Sequence, residues 1–133
     1  MLRAVDASHL TAVPLLADLS KRDLEHVARW ADEVDLGPGK HLLDEGALPH
    51  EFFVILEGEV EVIHDGATLT TLGPGDFFGE IALIEDVRRT ASVVTTTPCR
   101  LAVMTPQAFS SMRSSIPVVA DRIQTAATAR MPR

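Results

Sequence analysis

The sequence predicts a mainly β domain, with a sheet rolled or folded on itself and helices flanking it at both ends. Three observations predict it. From Gly37 to Met104 the chain is a succession of short, partly alternating apolar segments cut by Gly, Pro, Asp or His, the pattern of short strands joined by tight turns. The tetrapeptide Leu-Gly-Pro-Gly occurs twice, at 36–39 and 72–75. Two copies are too few for a solenoid and read better as one turn chemistry used at two corners of a rolled sheet. The longer helical stretches, 20–31 and 105–130, flank that region on either side.

Taken in order, residues 1–19 are short apolar pieces interrupted by Pro14. Ser20 reads as an N-cap with Asp23 three positions on. Leu24, Val27, Ala28 and Ala31 then fall at helical spacing, which predicts an amphipathic helix over 20–31. After Gly37-Pro38-Gly39 the period drops to two. The segments HLLDEG, EFFVIL, EVEVIH and ATLTTL read as strands. The clearest alternation is Glu59-Val60-Glu61-Val62, valines inward and glutamates outward. Arg89–Thr96 and Cys99–Met104 supply two further strands with Pro98 in the turn between them. Thr105-Pro106 is an N-cap followed by proline at the first helical position, predicting a helix to about Ser114. Ile116-Pro117 opens a final helix to about Arg130, with Val118, Val119, Ile123, Ala126 and Ala127 on one side. The expectation is a single domain over 1–133: an N-terminal helix at 20–31, a β-roll at 32–104 and C-terminal helices at 105–130, with no linker and no room for a helix-turn-helix.

Composition narrows the function. The formal net charge of −7 opposes nucleic-acid phosphates, so no direct nucleic-acid contact is expected. The single cysteine, Cys99, excludes a disulfide within the chain or a cluster held by several thiolates. No apolar run approaches the roughly 20 residues that span a bilayer, and the first residues lack a signal-peptide core, which points to the cytoplasm.

The run Gly75–Val94, GDFFGEIALIEDVRRTASVV, concentrates the chemistry. It sets a carboxylate, Glu80, a short helix from Gly79 to Ile84 and a guanidinium, Arg89, around one loop. A guanidinium grips phosphate through parallel donors. Backbone N–H groups at a helix start favour an anion. A carboxylate is the strongest side-chain acceptor for a sugar hydroxyl. The combination is suited to holding a phosphate and a ribose together.

Residues Phe78–Val93, FGEIALIEDVRRTASV, closely resemble the phosphate-binding cassette of cyclic nucleotide-binding domains, roughly F-G-E-[LI]-A-L, a few variable residues, then R-[TSA]-A-[TS]-V. The leading helix, the turn at Gly37-Pro38-Gly39, the segment at 44–62 and two closing helices follow in the same order, so the resemblance covers nearly the whole chain. It implies an eight-stranded β jelly roll (a double-stranded β-helix) with an N-terminal helix, a short phosphate-cassette helix and two C-terminal helices. It also implies a regulatory module that senses cAMP, or cGMP, and signals to an effector protein through its last helix. The roles implied are Glu80 on the ribose 2′-hydroxyl and Arg89 on the exocyclic phosphate oxygens. Gly79, Ile81 and Ala82 offer close backbone approach, and Thr90 and Ala91 lie beside the phosphate. Glu80 and Arg89 are expected to pair with each other when no ligand is bound. Val119 and Ile123, with Ala127, form a candidate base lid, or alternatively a homodimer face on the C-terminal helix.

Other residues receive ordinary readings. Arg88 is a solvated charge, since strand neighbours face opposite sides and Ala91 and Val93 keep Arg89 in frame; the family often has proline here. Thr90 does not by itself choose between cAMP and cGMP, and cAMP is preferred. The five histidines, His9, His26, His41, His50 and His64, lack the His-x-His clustering of a cupin-like metal enzyme, so no metal is expected and no cofactor beyond the nucleotide ligand. Cys99 is read as a small buried hydrophobe and Trp30 as helix packing. No nucleophile–base set is visible, so the expectation is binding without turnover. The alternatives are a protein-interaction module of the same fold that binds no nucleotide, or the cupin-like enzyme.

Overall fold

The computed structural model describes residues 3–48 and 50–130. Nine strands form among them: β1 (Arg3–Ala4), β2 (Asp32–Leu36), β3 (His41–Leu43), β4 (Phe52–Glu57), β5 (Val60–His64), β6 (Ala67–Leu72), β7 (Phe77–Phe78), β8 (Ser92–Thr95) and β9 (Cys99–Met104). Four α-helices accompany them: α1 (Lys21–Trp30), α2 (Glu80–Glu85), α3 (Pro106–Ser115) and α4 (Pro117–Arg130). The strands build a five-stranded sheet in the order β1-β2-β9-β4-β7 and a four-stranded sheet in the order β3-β8-β5-β6. Every pairing is antiparallel. The strand beyond the expected eight is β1, two residues whose Arg3 pairs in register with Glu33. Glu33 is buried, and Arg3 Nη2 and His9 Nδ1 lie 2.6 and 2.7 Å from its carboxylate, clipping the N-terminal segment to the sheet.

Strands β4 and β9 explain the shape of the core. Phe53 and Ile55 of β4, with Leu101 and Val103 of β9, pack between the two sheets against Val60, Phe78 and Val93. The alternate residues Phe52, Val54, Ala102 and Met104 face the helices, against Val27, Phe109, Met112, Val119 and Ile123. Both faces of these strands are covered, which is why Phe52–Leu56 is an unbroken apolar run rather than an alternating one.

Local signals set the helix boundaries. Ser20 Oγ accepts from Asp23 N at 3.1 Å, and Thr105 Oγ1 accepts from Ala108 N at 3.1 Å ahead of Pro106. The two Leu-Gly-Pro-Gly turns are alike: Gly39 and Gly75 have φ of 80° and 89°. Each donates its N–H to the carbonyl of a facing strand, Thr95 O at 2.7 Å and Ile55 O at 2.8 Å.

Two expectations need correction. The strand expected from Arg89 begins at Ser92. Arg89 instead pairs its backbone with a loop, its N donating to Ala47 O at 2.7 Å and its O accepting from Gly46 N at 2.9 Å. Val119 and Ile123 do not form a base lid. They and Ala127 have no exposed surface and lie in the interior of their own chain, Val119 and Ile123 in the core cluster that also holds Leu15, Leu16, Phe109 and Met112. Val119, Ile123 and Ala127 are thus spent on the core of their own chain. Val118, on the other side, is the exposed valine.

Candidate functional site

The cassette begins at Gly79, which caps α2 with φ 98° and ψ −4°. That backbone is open to glycine and strained for any other residue. Space reinforces the requirement, because a Cβ here would lie 2.8 Å from Glu51 O and 3.3 Å from Arg89 Nη1. Glycine thus lets the chain turn tightly against β4 and start a helix whose first N–H groups have no helical acceptor.

Arg89 is 5% exposed. Its Nη1 donates to Gly79 O at 2.9 Å and its Nη2 to Glu51 O at 2.7 Å. Among the described residues no carboxylate approaches it within 4.0 Å. Burial lowers its pKa below the usual guanidinium range, while the nearby charges of Glu51 and Glu80 act in the opposite sense. An arginine stays charged regardless. The result is a buried cation aimed by two carbonyls and, among the described residues, in direct contact with no carboxylate.

The expected Glu80–Arg89 pair is therefore not made. Glu80, 1% exposed, is held instead by Arg130 at the end of α4, whose Nη1 donates to Glu80 Oε1 at 2.6 Å. The same Nη1 donates to Phe77 O at 2.7 Å, and the guanidinium lies 4.9 Å from the centre of the Phe77 ring. Arg130 reaches the carboxylate along the surface, while two carbonyls fix the Arg89 fork elsewhere. Glu80 Oε2 makes no hydrogen bond among the described residues.

Both groups border a cavity of about 340 Å³, within the roughly 300–1,000 Å³ typical of small-molecule sites. All seven residues selected from the cassette, Gly79–Ala82 and Arg89–Ala91, line it. Val119 and Ile123 do not. Arg88 is exposed and donates to Gly46 O at 3.0 Å. Trp30 packs partly buried against the helical core, its ring 6.0 Å from that of His26. Cys99 is buried. Among the described residues no group of three or more His, Cys, Asp or Glu is gathered to hold a metal ion, and no helix is long and apolar enough to cross a membrane.

Sequence reasoning missed two sets of lining residues. Val62, His64, Leu69, Thr70 and Leu72, from the β5–β6 hairpin, form the wall away from the cassette. The signal was present, since the period-two face that buries Val60 continues through Val62 to His64. Arg130 was also missed. It continues the Val119–Ile123–Ala127 stripe by three positions, a full helical step onto the same face.

The profile of the cyclic nucleotide-binding domain matches residues 33–115. The cAMP-dependent protein kinase regulatory subunit of Schizosaccharomyces pombe is 32% identical over 111 residues, covering 83% of this chain and 27% of that subunit. The chain thus spans about a quarter of that relative's length. Among solved structures, the regulatory domain of Toxoplasma gondii PKA in co-crystal with cAMP has a TM-score of 0.81 at 24% identity, over 92% of this chain and 48% of that one, a likeness of fold. The regulatory subunit of a cAMP-independent protein kinase A from Trypanosoma cruzi, bound to guanosine, also has a TM-score of 0.81, at 26% identity over 92% of this chain and 44% of that one.

Proposed function

The chain belongs to the cyclic nucleotide-binding domain family, and from that premise we propose that it is a regulatory module that binds a 3′,5′-cyclic purine nucleotide, cAMP in preference to cGMP, without turning it over. The observation that carries this reading is Arg89: a buried guanidinium with two donors anchored on carbonyls, its charge unanswered by any carboxylate within 4.0 Å among the described residues. A buried charge left in that state is costly, and a cyclic phosphate in the adjoining cavity relieves the cost with charge-assisted hydrogen bonds. Glu80 Oε2 is the acceptor for the ribose 2′-hydroxyl. The first turn of α2 brings its backbone to the phosphate, with Thr90 and Ala91 beside it.

Calorimetric titration with cAMP, cGMP, adenosine and 2′-deoxy-cAMP tests the reading. Both cyclic ribonucleotides are expected to bind, cAMP more tightly. Adenosine, which brings no anion to Arg89, binds far more weakly, and 2′-deoxy-cAMP loses roughly tenfold, the worth of one hydrogen bond to a charged acceptor. No binding by either cyclic ribonucleotide leaves the chain as a protein-interaction module of this fold.

The same carboxylate offers a route for the signal. Arg130 holds Oε1 and the ribose takes Oε2, so ligand and helix end meet on one side chain. Whatever orients Glu80 for the ligand is in turn stabilised by the ligand, since coupling between two sites is reciprocal. Binding therefore tightens the last turn of α4, the surface an effector protein would read. Hydrogen exchange at residues 127–130 is expected to slow on saturation with cAMP. Arg130→Ala abolishes that slowing and weakens binding severalfold. Equal exchange with and without nucleotide in the unaltered chain excludes this route.

A further inference from the structure

The phosphate and sugar contacts leave His64 and Thr70 of the cavity lining unused, and His64 is the one with a ring nitrogen free to read a base. His64 closes β5 and lines the cavity alongside Leu69, Thr70 and Leu72 of β6. Its Nδ1 lies 2.9 Å from Thr90 O and 3.4 Å from Glu45 Oε2. A carbonyl and a carboxylate are both acceptors, so Nδ1 carries the proton and donates. In the neutral ring the other nitrogen, Nε2, is then a lone-pair acceptor, and among the described residues it has no partner. The support behind the ring is itself fixed. Glu45 Oε1 accepts from Asp65 N at 2.9 Å, and Glu45 N donates to Ser92 Oγ at 2.9 Å. The tautomer and orientation of His64 are thus set by the loop that carries Thr90 and by Glu45, before any ligand arrives.

Resting on the reading that the cavity takes a cyclic purine nucleotide, we propose that His64 reads the base: its Nε2 accepts a hydrogen bond from the 6-amino group of adenine. Arg89 and Glu80 hold the cyclic phosphate and ribose at the cassette end. The base then extends along the β5–β6 wall, where Val62, Leu69 and Leu72 offer apolar surface and His64 offers the acceptor. A 6-oxo purine sets a lone pair against the lone pair of Nε2, and an unsubstituted purine offers no donor. The Thr90 carbonyl links the two ends of the site, because the residue beside the phosphate also sets the histidine tautomer.

The test compares 3′,5′-cyclic monophosphates of adenosine, purine riboside and inosine, titrated into the unaltered chain, His64→Phe and His64→Gln. In the unaltered chain cAMP is expected to bind three- to tenfold more tightly than the purine riboside analogue, with the inosine analogue weakest. His64→Phe brings cAMP and the purine riboside analogue within twofold of each other. His64→Gln, whose amide oxygen accepts, recovers part of the gap. The ring is half exposed on a hairpin, and a thermal melt of each variant checks that the fold is kept. If all three ligands bind and the cAMP advantage is absent in the unaltered chain, or survives in His64→Phe, the role of His64 is overturned while the phosphate site stands. If none of the three binds the unaltered chain, the nucleotide reading falls and this role falls with it.

Discussion

Replacing Arg89 with alanine lowers the affinity for cAMP by on the order of a hundredfold. On the proposed reading the guanidinium has donors left for two charge-assisted hydrogen bonds to the phosphate, each worth about 1.5–3 kcal/mol net, and every 1.4 kcal/mol is roughly tenfold in affinity. The lower end of that range, taken twice, already gives about a hundredfold. The variant also loses stability, because the carbonyls of Gly79 and Glu51 lose donors now at 2.9 and 2.7 Å. An unsatisfied buried acceptor costs about 1–3 kcal/mol. Calorimetry reads the first effect and a thermal melt the second. Arg89→Lys keeps the charge but not the fork, so its affinity falls between the two. An Arg89→Ala protein that binds cAMP as before removes this residue from the site.

Gly79→Ala carries the second large effect. The new residue must hold φ near 98°, outside the usual range for side-chain-bearing residues, at a cost on the order of 1–3 kcal/mol. Its Cβ also meets Glu51 O at 2.8 Å. That carbonyl is one of the two anchors of the Arg89 fork, so relieving the clash shifts the guanidinium. The expected result is a melting temperature lower by several degrees, at roughly 2–8 °C per kcal/mol, together with at least a tenfold loss of affinity. Gly66→Ala supplies the comparison. Its φ of 79° is also positive, but nothing lies within 4 Å of its Cβ, so it costs stability without weakening binding. Equal affinity losses in the two variants would show that backbone strain, not the approach to Glu51, governs the site.

What the sequence made legible was whatever its own neighbours decide. Ser20, Thr105-Pro106 and Ile116-Pro117 mark helix starts through contacts a few residues long, and the helices begin where those signals stand. The cassette is a local motif, and its seven selected residues come to one cavity because they sit on one loop and one short helix. Long-range partners were not legible. Glu80 and Arg130 are fifty positions apart, and His64 and Thr90 twenty-six. Helical spacing put Val118, Val119, Ile123, Ala126 and Ala127 on one side of α4 and offered Val119, Ile123 and Ala127 as a base lid or a dimer face; those three are interior while Val118 is exposed, because spacing alone does not say what covers a face. Proximity in sequence suggested that Glu80 pairs with Arg89; the structure gives Arg89 two backbone carbonyls and leaves the carboxylate to a helix end.

The anchoring of α4 limits how far it can swing. Val119 and Ile123 are wholly interior, and exposing a side chain of that size costs about 1.5–3 kcal/mol. Prising the whole helix loose would consume about 3–6 kcal/mol through these two alone, against the roughly 8 kcal/mol that a micromolar ligand releases. A ligand moves an equilibrium only by its difference in affinity for the two states, so displacing the whole helix would draw on a large share of the binding energy. The last described turn of α4, Thr128 to Arg130, is exposed, so loosening it costs far less buried surface. An effector that reads so small a rearrangement would have to touch residues 128–130 rather than the buried middle of α4.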